Sequence, residues 1–376
     1  MEYIWIHEDM RKGRSFVSLH GDTKVKHQKE VSVDNNKEDV ALLRNKEDTA
    51  FVSLLKNCGR NKDLLEGSRI HDNILKQGLL EKKSYLISTL ISMYTKCGAI
   101  EKAQEILEEM HVPDIVSWSA LISGYAQQGQ GYESQKCFDR MRIEGISPDN
   151  VTFTCILKAY GSIGAIHKGK QIHEEIVSRG MLEKDIVLGT ALVDMYIKCG
   201  MLEKAKQVLE ELPVRDVVSW SAIIGGYSQQ GQGYEALKSF ERMRVEGISP
   251  NLVTFICILM ACGSIEGILK GKHIHEEVLS RGLLKKDIIL GNALVDMYSK
   301  CGVLSKAQQV LDELPTRNIV SWNALMAGYA QQGQYHEVLR CFGCIQSEGL
   351  SANMVTYICI LKACACIGAV EEGKQV

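Results

Sequence analysis

Two triplets, His173-Glu174-Glu175 and His275-Glu276-Glu277, carry the H-x-E spacing that sets a zinc ligand beside a general acid–base in a deamination site. That chemistry needs a P-C-x-x-C segment further along to complete the ligand set, and none follows either triplet. Cys341 and Cys344 form a C-x-x-C in "CFGC", but no second pair at zinc spacing accompanies it. Trp118, Trp220 and Trp322 could offer flat platforms for nucleic-acid bases. Each, however, has apolar residues at i+3 and i+4, the spacing of a helix face packed on a neighbour. No glycine-rich loop ending in Lys-Ser/Thr is present to cradle a phosphate. No catalytic constellation remains, so the chain is expected to be no enzyme, with no metal, no cofactor and no small-molecule substrate.

What these residues share is recurrence. "VSWSALISGYAQQGQG" begins at Val116, "VSWSAIIGGYSQQGQG" at Val218 and "VSWNALMAGYAQQGQY" at Val320, a spacing of 102 residues both times. The Cys-Gly pairs at Cys97, Cys199 and Cys301 repeat at the same interval, and so do the histidines. In the copies, Cys137 with Arg140 and Ser239 with Arg242 stand where Cys341 and Cys344 stand, which removes the C-x-x-C as a metal site. Self-similarity at a fixed period is the signature of a repeat array.

Bulk composition agrees. The 376 residues are 45% hydrophobic and 24% charged, as in a folded chain. No apolar run is long enough to span a bilayer, so no membrane partner is expected. The net charge of −2 argues against a strongly basic nucleic-acid binder, although charge can be segregated by face. Most of the 13 cysteines recur on apolar stretches, as Cys155, Cys257 and Cys359 do, and read as small buried hydrophobes in a reducing compartment.

Within a block the periodicity is helical. Trp118, Leu121, Ile122 and Tyr125 fall at i, i+3, i+4 and i+7. Gly129 and Gly247 follow the last periodic residues of two helices and suit a left-handed C-terminal cap. All five prolines (Pro113, Pro148, Pro213, Pro250 and Pro315) sit at such ends. Boundaries at the short "PD", "KD" and "RD" junctions give hairpins of 36, 31 and 35 residues in fixed order. They run 48–83, 84–114, 115–149, 150–185, 186–216, 217–251, 252–287, 288–318 and 319–353, nine complete repeats, with a tenth, 354–376, cut inside its second helix. A lone hairpin cannot bury its apolar face, so the expected fold is an all-α solenoid, a superhelix of stacked helix-turn-helix pairs with a curved inner surface. Residues 1–47 lie outside the repeat and are expected to be mostly disordered, with one short helix near Ala41–Arg44. Glu2, Glu8, Asp9 and Asp22 are too early and too many for a transit peptide, and no targeting signal is visible. The cut at "GKQV" suggests that the natural protein is longer.

The alternating lengths, with "LVDMYSKCGVLSKAQQVLDELPTRN" and "GKQIHEEIVSRG", resemble the pentatricopeptide repeat proteins of the plant PLS class over residues 48–376. The tetratricopeptide repeat, with its fixed shorter period, does not fit. The resemblance implies sequence-specific binding of single-stranded RNA at about one base per repeat. It further implies a site in a mitochondrial or chloroplast transcript, recognised for RNA editing or other processing, and partner proteins of an editing complex. The C-terminal extension and deaminase-like domains of many such proteins do not occur in this sequence. The competing reading is a helical scaffold that binds proteins and no RNA.

In the family, the fifth and last residues of each repeat choose the base and the second packs against it. Carried over, the base-reading pairs are Ser88 with Asp114, Ser119 with Asp149, Thr190 with Asp216, Ser221 with Asn251, Asn292 with Asn318 and Asn323 with Asn353. The packing residues are Val116, Val187, Val218, Ile289 and Val320. Across all six pairs the fifth residue is Ser, Thr or Asn and the last is Asp or Asn, so hydrogen-bonding capacity is kept while identity changes. The same positions are ordinary ones for helix caps. The 36-residue repeats have Val52, Thr154, Ile256 and Ile358 at the fifth position and are expected to add little specificity. Lys96, Lys198 and Lys300, at equivalent places, are expected near the inner surface as phosphate holders.

Overall fold

The computed structural model describes residues 36–80, 83–110, 112–183, 185–284 and 287–368. Nineteen α-helices and no strand occur among the described residues, arranged as an all-α repeat solenoid. The chain divides into two compact units at Ile163/Gly164.

The first unit contains α1 (Asn36–Asn61), α2 (Leu64–Lys76), α3 (Ser84–Lys96), α4 (Ile100–Glu108), α5 (Ile115–Gln127), α6 (Gly131–Ile143) and α7 (Asn150–Ile163). The helix expected near Ala41–Arg44 is part of α1, which starts earlier and runs on to Asn61. The expectation of disorder over residues 1–35 lies outside the described residues.

The second unit contains α8 (Ile166–Ser178), α9 (Ile186–Lys198), α10 (Leu202–Glu211), α11 (Val217–Gln229), α12 (Gly233–Val245), α13 (Leu252–Ser264) and α14 (Ile268–Ser280). It continues with α15 (Ile288–Lys300), α16 (Leu304–Glu313), α17 (Ile319–Gln331), α18 (Tyr335–Ser347) and α19 (Met354–Ile367). The second helix of the tenth repeat falls on residues 369–376, outside those described.

One packing rule holds inside each unit. The first helices stack on one another in order, α3 on α5 on α7 in one unit and α9 through α19 by odd numbers in the other. Apart from α7 and α19, each first helix also packs on its own second helix, and within a unit that second helix packs on the next first helix. The first helices are therefore buried on most sides, which is why "LVTFICILMACGS" is nearly continuous in apolar residues while "LEKAKQVLEE" is amphipathic.

The tryptophans belong to this packing. Trp118, Trp220 and Trp322 are buried, and each indole N–H donates to the glutamate that ends the following helix: Glu144 at 3.2 Å, Glu246 at 3.0 Å and Glu348 at 2.8 Å. A buried indole needs such an acceptor, and a ring held this way is no platform for a base. Gly129 and Gly247 both have φ of 76°, the left-handed conformation read for them. Gly226 meets a different need. A Cβ there would lie 2.8 Å from Ile197 Cγ2 and 3.0 Å from Leu202 Cδ2, so only glycine lets α11 approach the preceding pair this closely.

Candidate nucleic-acid interface

Asp114, Asp216, Asn251, Asn318 and Asn353 are the N-cap residues of α5, α11, α13, α17 and α19. Asp149 directly precedes α7 and acts in the same way, its Oδ1 accepting from the Thr152 amide at 2.8 Å. A helix start leaves four N–H groups without intrahelical partners, and Asp or Asn satisfies one of them. In every case the atom used is Oδ1. It accepts from the Ser117 amide at 2.8 Å, from the Ser219, Thr254 and Ser321 amides at 2.9 Å, and from the Thr356 amide at 3.1 Å.

The cap fixes the chemistry of the atom that remains. An Asn must turn its oxygen to the helix, so its Nδ2 is left over as a donor. An Asp in the same place leaves Oδ2 over as an acceptor. Among the described residues that second atom has no protein partner in Asp149, Asp216, Asn251, Asn318 or Asn353. In Asp114 it lies 3.3 Å from the Ser88 hydroxyl. Equivalent positions thus present opposite hydrogen-bonding character on one geometry.

The fifth residues lie behind these caps, one turn into the first helix of the same repeat. Ser88 Oγ donates to Asp114 Oδ1 at 3.2 Å. Asn323 Nδ2 donates to Asn353 Oδ1 at 2.9 Å and Asn292 Nδ2 to Asn318 Oδ1 at 3.4 Å. Ser119 and Ser221 reach their partners through one hydroxyl. Ser119 bonds Thr152 Oγ1 at 2.6 Å and Ser221 bonds Thr254 Oγ1 at 2.7 Å, and those threonines donate to Asp149 at 2.7 Å and Asn251 at 2.9 Å. Five of the six sequence-derived pairs are therefore joined, and Thr190, half-buried, makes no such bond to Asp216 among the described residues. Ser88, Ser119, Ser221 and Asn323 are buried, while the last residues are half-buried or exposed. The last residue is the outer member of each pair.

Apolar side chains flank the caps. Val116, Val187, Val218 and Val320 are each more than half exposed, and Ile289 is half-buried. In each unit the exposed valines stand at one register of the first helices, beside the caps, where an apolar side chain can stack against a flat ring. In the 36-residue repeats the rim is different. Ile256 and Thr154 are buried, Val52 is half-buried, and Ile358 is exposed. Asp185 and Asp287 still cap α9 and α15, whereas Lys83 before α3 makes no side-chain cap bond.

Lys198 and Lys300 stand at the other end of the same helices, a helix length of roughly 20 Å from the caps. Each is bound to a carboxylate one turn back, Asp194 at 2.6 Å and Asp296 at 2.7 Å. Lys96 ends α3 in the same way. These lysines close helix C-termini, which the helix dipole favours, and are not at the rim.

The histidines of the H-x-E triplets are buried and bonded through Nδ1 to tyrosines: His173 to Tyr196 and His275 to Tyr298, with His71 to Tyr94 alike, each at 2.9 Å. Burial pushes all three imidazoles below their ordinary range, so they stay neutral inside the fold. No group of His, Cys, Asp and Glu among the described residues could hold a metal ion. All 13 cysteines are free. Burial pushes Cys137 and Cys257 up to about 12, which keeps those thiols protonated and inert.

A model of the PPR repeat family matches residues 113–162, 215–264 and 317–366. A model of the PPR repeat itself matches 87–112, 151–181, 190–217 and 292–319. A chloroplastic pentatricopeptide repeat-containing protein of Arabidopsis thaliana is 35% identical over 324 residues, 86% of this chain and 52% of the relative. A mitochondrial one from the same plant is 38% identical over 316 residues, 84% of this chain and 50% of the relative. This chain thus spans about half the length of these relatives. Among solved structures, the pentatricopeptide repeat protein PPR10 in complex with an 18-nt psaJ RNA element superposes with a TM-score of 0.70 at 22% identity, over 82% of this chain and 46% of that one. PPR10 from maize gives 0.66 at 19% identity, over 90% and 55%.

Proposed function

The chain belongs to the pentatricopeptide repeat family, and from that premise we propose that it binds single-stranded RNA in a sequence-dependent way, at about one base per 31- or 35-residue repeat. The observation that carries the reading is the cap geometry: one oxygen is spent on the helix, and the second atom is an acceptor in Asp and a donor in Asn. Guanine offers N–H donors on its pairing edge and suits the Asp repeats. Adenine and the pyrimidines offer ring-nitrogen or carbonyl acceptors there and suit the Asn repeats. With the repeats running parallel to the strand from residue 48 onward, the site reads any, G, G, any, G, A, any, pyrimidine, pyrimidine. The exposed second residues hold each ring from one side.

The cellular setting is part of the proposal. Relatives named chloroplastic and mitochondrial support an organelle location, and the 36-31-35 order supports the PLS class and a role in transcript editing or other processing. The chemistry would come from partner proteins or from other parts of a longer chain.

The test is fluorescence anisotropy with a labelled RNA of that sequence, a scrambled RNA and the matching DNA. The matched RNA is expected to bind tightest, with affinity falling as salt rises. Equal binding of all three, or of none, would overturn the proposal and favour a protein-binding scaffold.

A further inference from the structure

Each 102-residue block places one tryptophan between two carboxylates on the outer ends of neighbouring helices, and in two blocks an arginine fills the space between them. Arg140 Cζ lies 5.5 Å from the Trp118 ring centroid. Its guanidinium reaches Glu108 at 3.7 Å and Glu144 at 3.1 Å. Arg242 repeats this over Trp220 at 5.8 Å, with Glu210 at 2.5 Å and Glu246 at 3.8 Å. In the third block the ring is Trp322 and the carboxylates are Asp312 and Glu348, but the residue at the arginine's position is Cys344.

The missing side chain leaves a space. A cleft of about 480 Å³ opens there, lined by Asp312, Arg317, Trp322, Arg340, Cys344 and Glu348. The corresponding space beside Trp220, with Arg242 in place, is about 40 Å³. One of its carboxylates also lacks a cation. Arg317 is paired with Glu348 at 2.8 Å and Arg340 with Glu337 at 2.7 Å. Asp312 accepts only an amide hydrogen bond from Gln308 at 2.9 Å and has no cationic partner among the described residues. Of the two carboxylates that line the cleft, Glu348 is thus paired and Asp312 is not.

We propose that this cleft is a docking site for an arginine side chain of a partner protein, which enters where Arg140 and Arg242 lie in the other blocks. Its guanidinium lies over Trp322 and pairs with Asp312 on one side and Glu348 on the other. The fit is specific to arginine because a planar fork can address two carboxylates and an aromatic face together, whereas a lysine ammonium is a compact point charge. Arginine is also a residue type on which interfaces concentrate their binding energy.

The test uses the full chain with ¹⁵N-labelled tryptophan, following the Trp322 indole N–H, which is assigned by its loss in Trp322→Phe. The probes are capped Gly-Arg-Gly, Gly-Lys-Gly and Gly-Glu-Gly peptides. The arginine peptide is expected to shift the Trp322 signal saturably, with a Kd roughly tenfold below that of the lysine peptide, about one net hydrogen bond. The glutamate peptide should leave the signal in place. Cys344→Arg supplies the guanidinium from within and should abolish the response. Cys344→Met, which fills the space without charge, should weaken it and serves if the arginine variant does not fold. The proposal is overturned if the arginine peptide gives no shift, if the glutamate peptide shifts the signal as much, or if both Cys344 variants respond like the parent chain.

Discussion

Helices α11 and α13 lie against each other, begin with the same kind of turn and differ at one depth. Asn251 caps α13, and Asp287 caps α15, the next first helix, each through Oδ1. Behind Asn251 stands Ser221, tied to it through Thr254, while the position that corresponds to Ser221 on α13 is Ile256, a buried aliphatic residue. Capping therefore occurs in both repeat types, Lys83 excepted, whereas among the 36-residue repeats only Thr154 is polar behind the cap. A capping role explains the Asp and Asn. It does not explain why the 31- and 35-residue repeats keep a hydroxyl or amide where the 36-residue repeats tolerate an aliphatic group.

The largest effect expected from this contrast is on stability. Ile256→Ala removes a buried side chain and should cost about 2–5 kcal/mol, measured by urea unfolding. Base preference, read by selection from a random RNA pool, should not move. A changed preference at the seventh base with little loss of stability would erase the distinction between α11 and α13.

Next comes the exchange at the neighbouring rim. Ser221→Asn with Asn251→Asp keeps the cap oxygen but turns the outer atom from donor to acceptor. The sixth base should shift from A toward U, whose ring N–H is a donor, by about 1–3 kcal/mol of discrimination. Unfolding should stay near that of the parent. An unchanged sixth base in the selected pool means that these residues only cap.

A smaller effect belongs to the cap without a polar partner. Asp287→Ala should lower stability by about 1 kcal/mol in thermal denaturation, with RNA affinity unaltered. A drop in affinity beyond that explained by unfolding would give the 36-residue repeats a reading role after all.

The smallest concerns pH. His71, His173 and His275 have folded-state pKa values held below the unfolded one by burial. Above the unfolded value, about 6.5, both states are neutral and the histidines add no pH dependence. As pH falls below it, the unfolded chain gains protons that the folded chain refuses, so stability drops until the folded values are passed. The melting temperature should therefore decline from pH 7 toward pH 5, and less steeply in His275→Gln. A flat profile in the parent would mean that the imidazoles are not kept neutral.

Much of this was legible in the sequence because the features are local. A 102-residue period, prolines between helices, and glycines with positive φ are all written in single residues or short spacings. The tryptophans also read correctly as packing groups from their i+3 and i+4 neighbours. The split role of the last residues was harder to see. Capping and base reading look like alternatives in a sequence, whereas the geometry spends one atom of the side chain on the cap and leaves the other over, as the proposed reading requires. The place of the lysines was less legible, because equivalent spacing does not say how far a residue stands from the caps. The Cys344 cleft had a signal, an Arg-Arg-Cys series at positions 140, 242 and 344. Its meaning needed the carboxylates that face that series from the neighbouring pair, more than 30 residues away.

The division of labour within Asp and Asn has a consequence for how such a chain diversifies. The two residues differ by one nucleotide in their codons and by one atom group in space. An exchange between them leaves the cap oxygen, the helix start and the neighbouring packing as they were. Under the proposed reading, drift can retune a lineage toward a new transcript without first passing through a misfolded ancestor, and each repeat can change its letter while the others keep theirs.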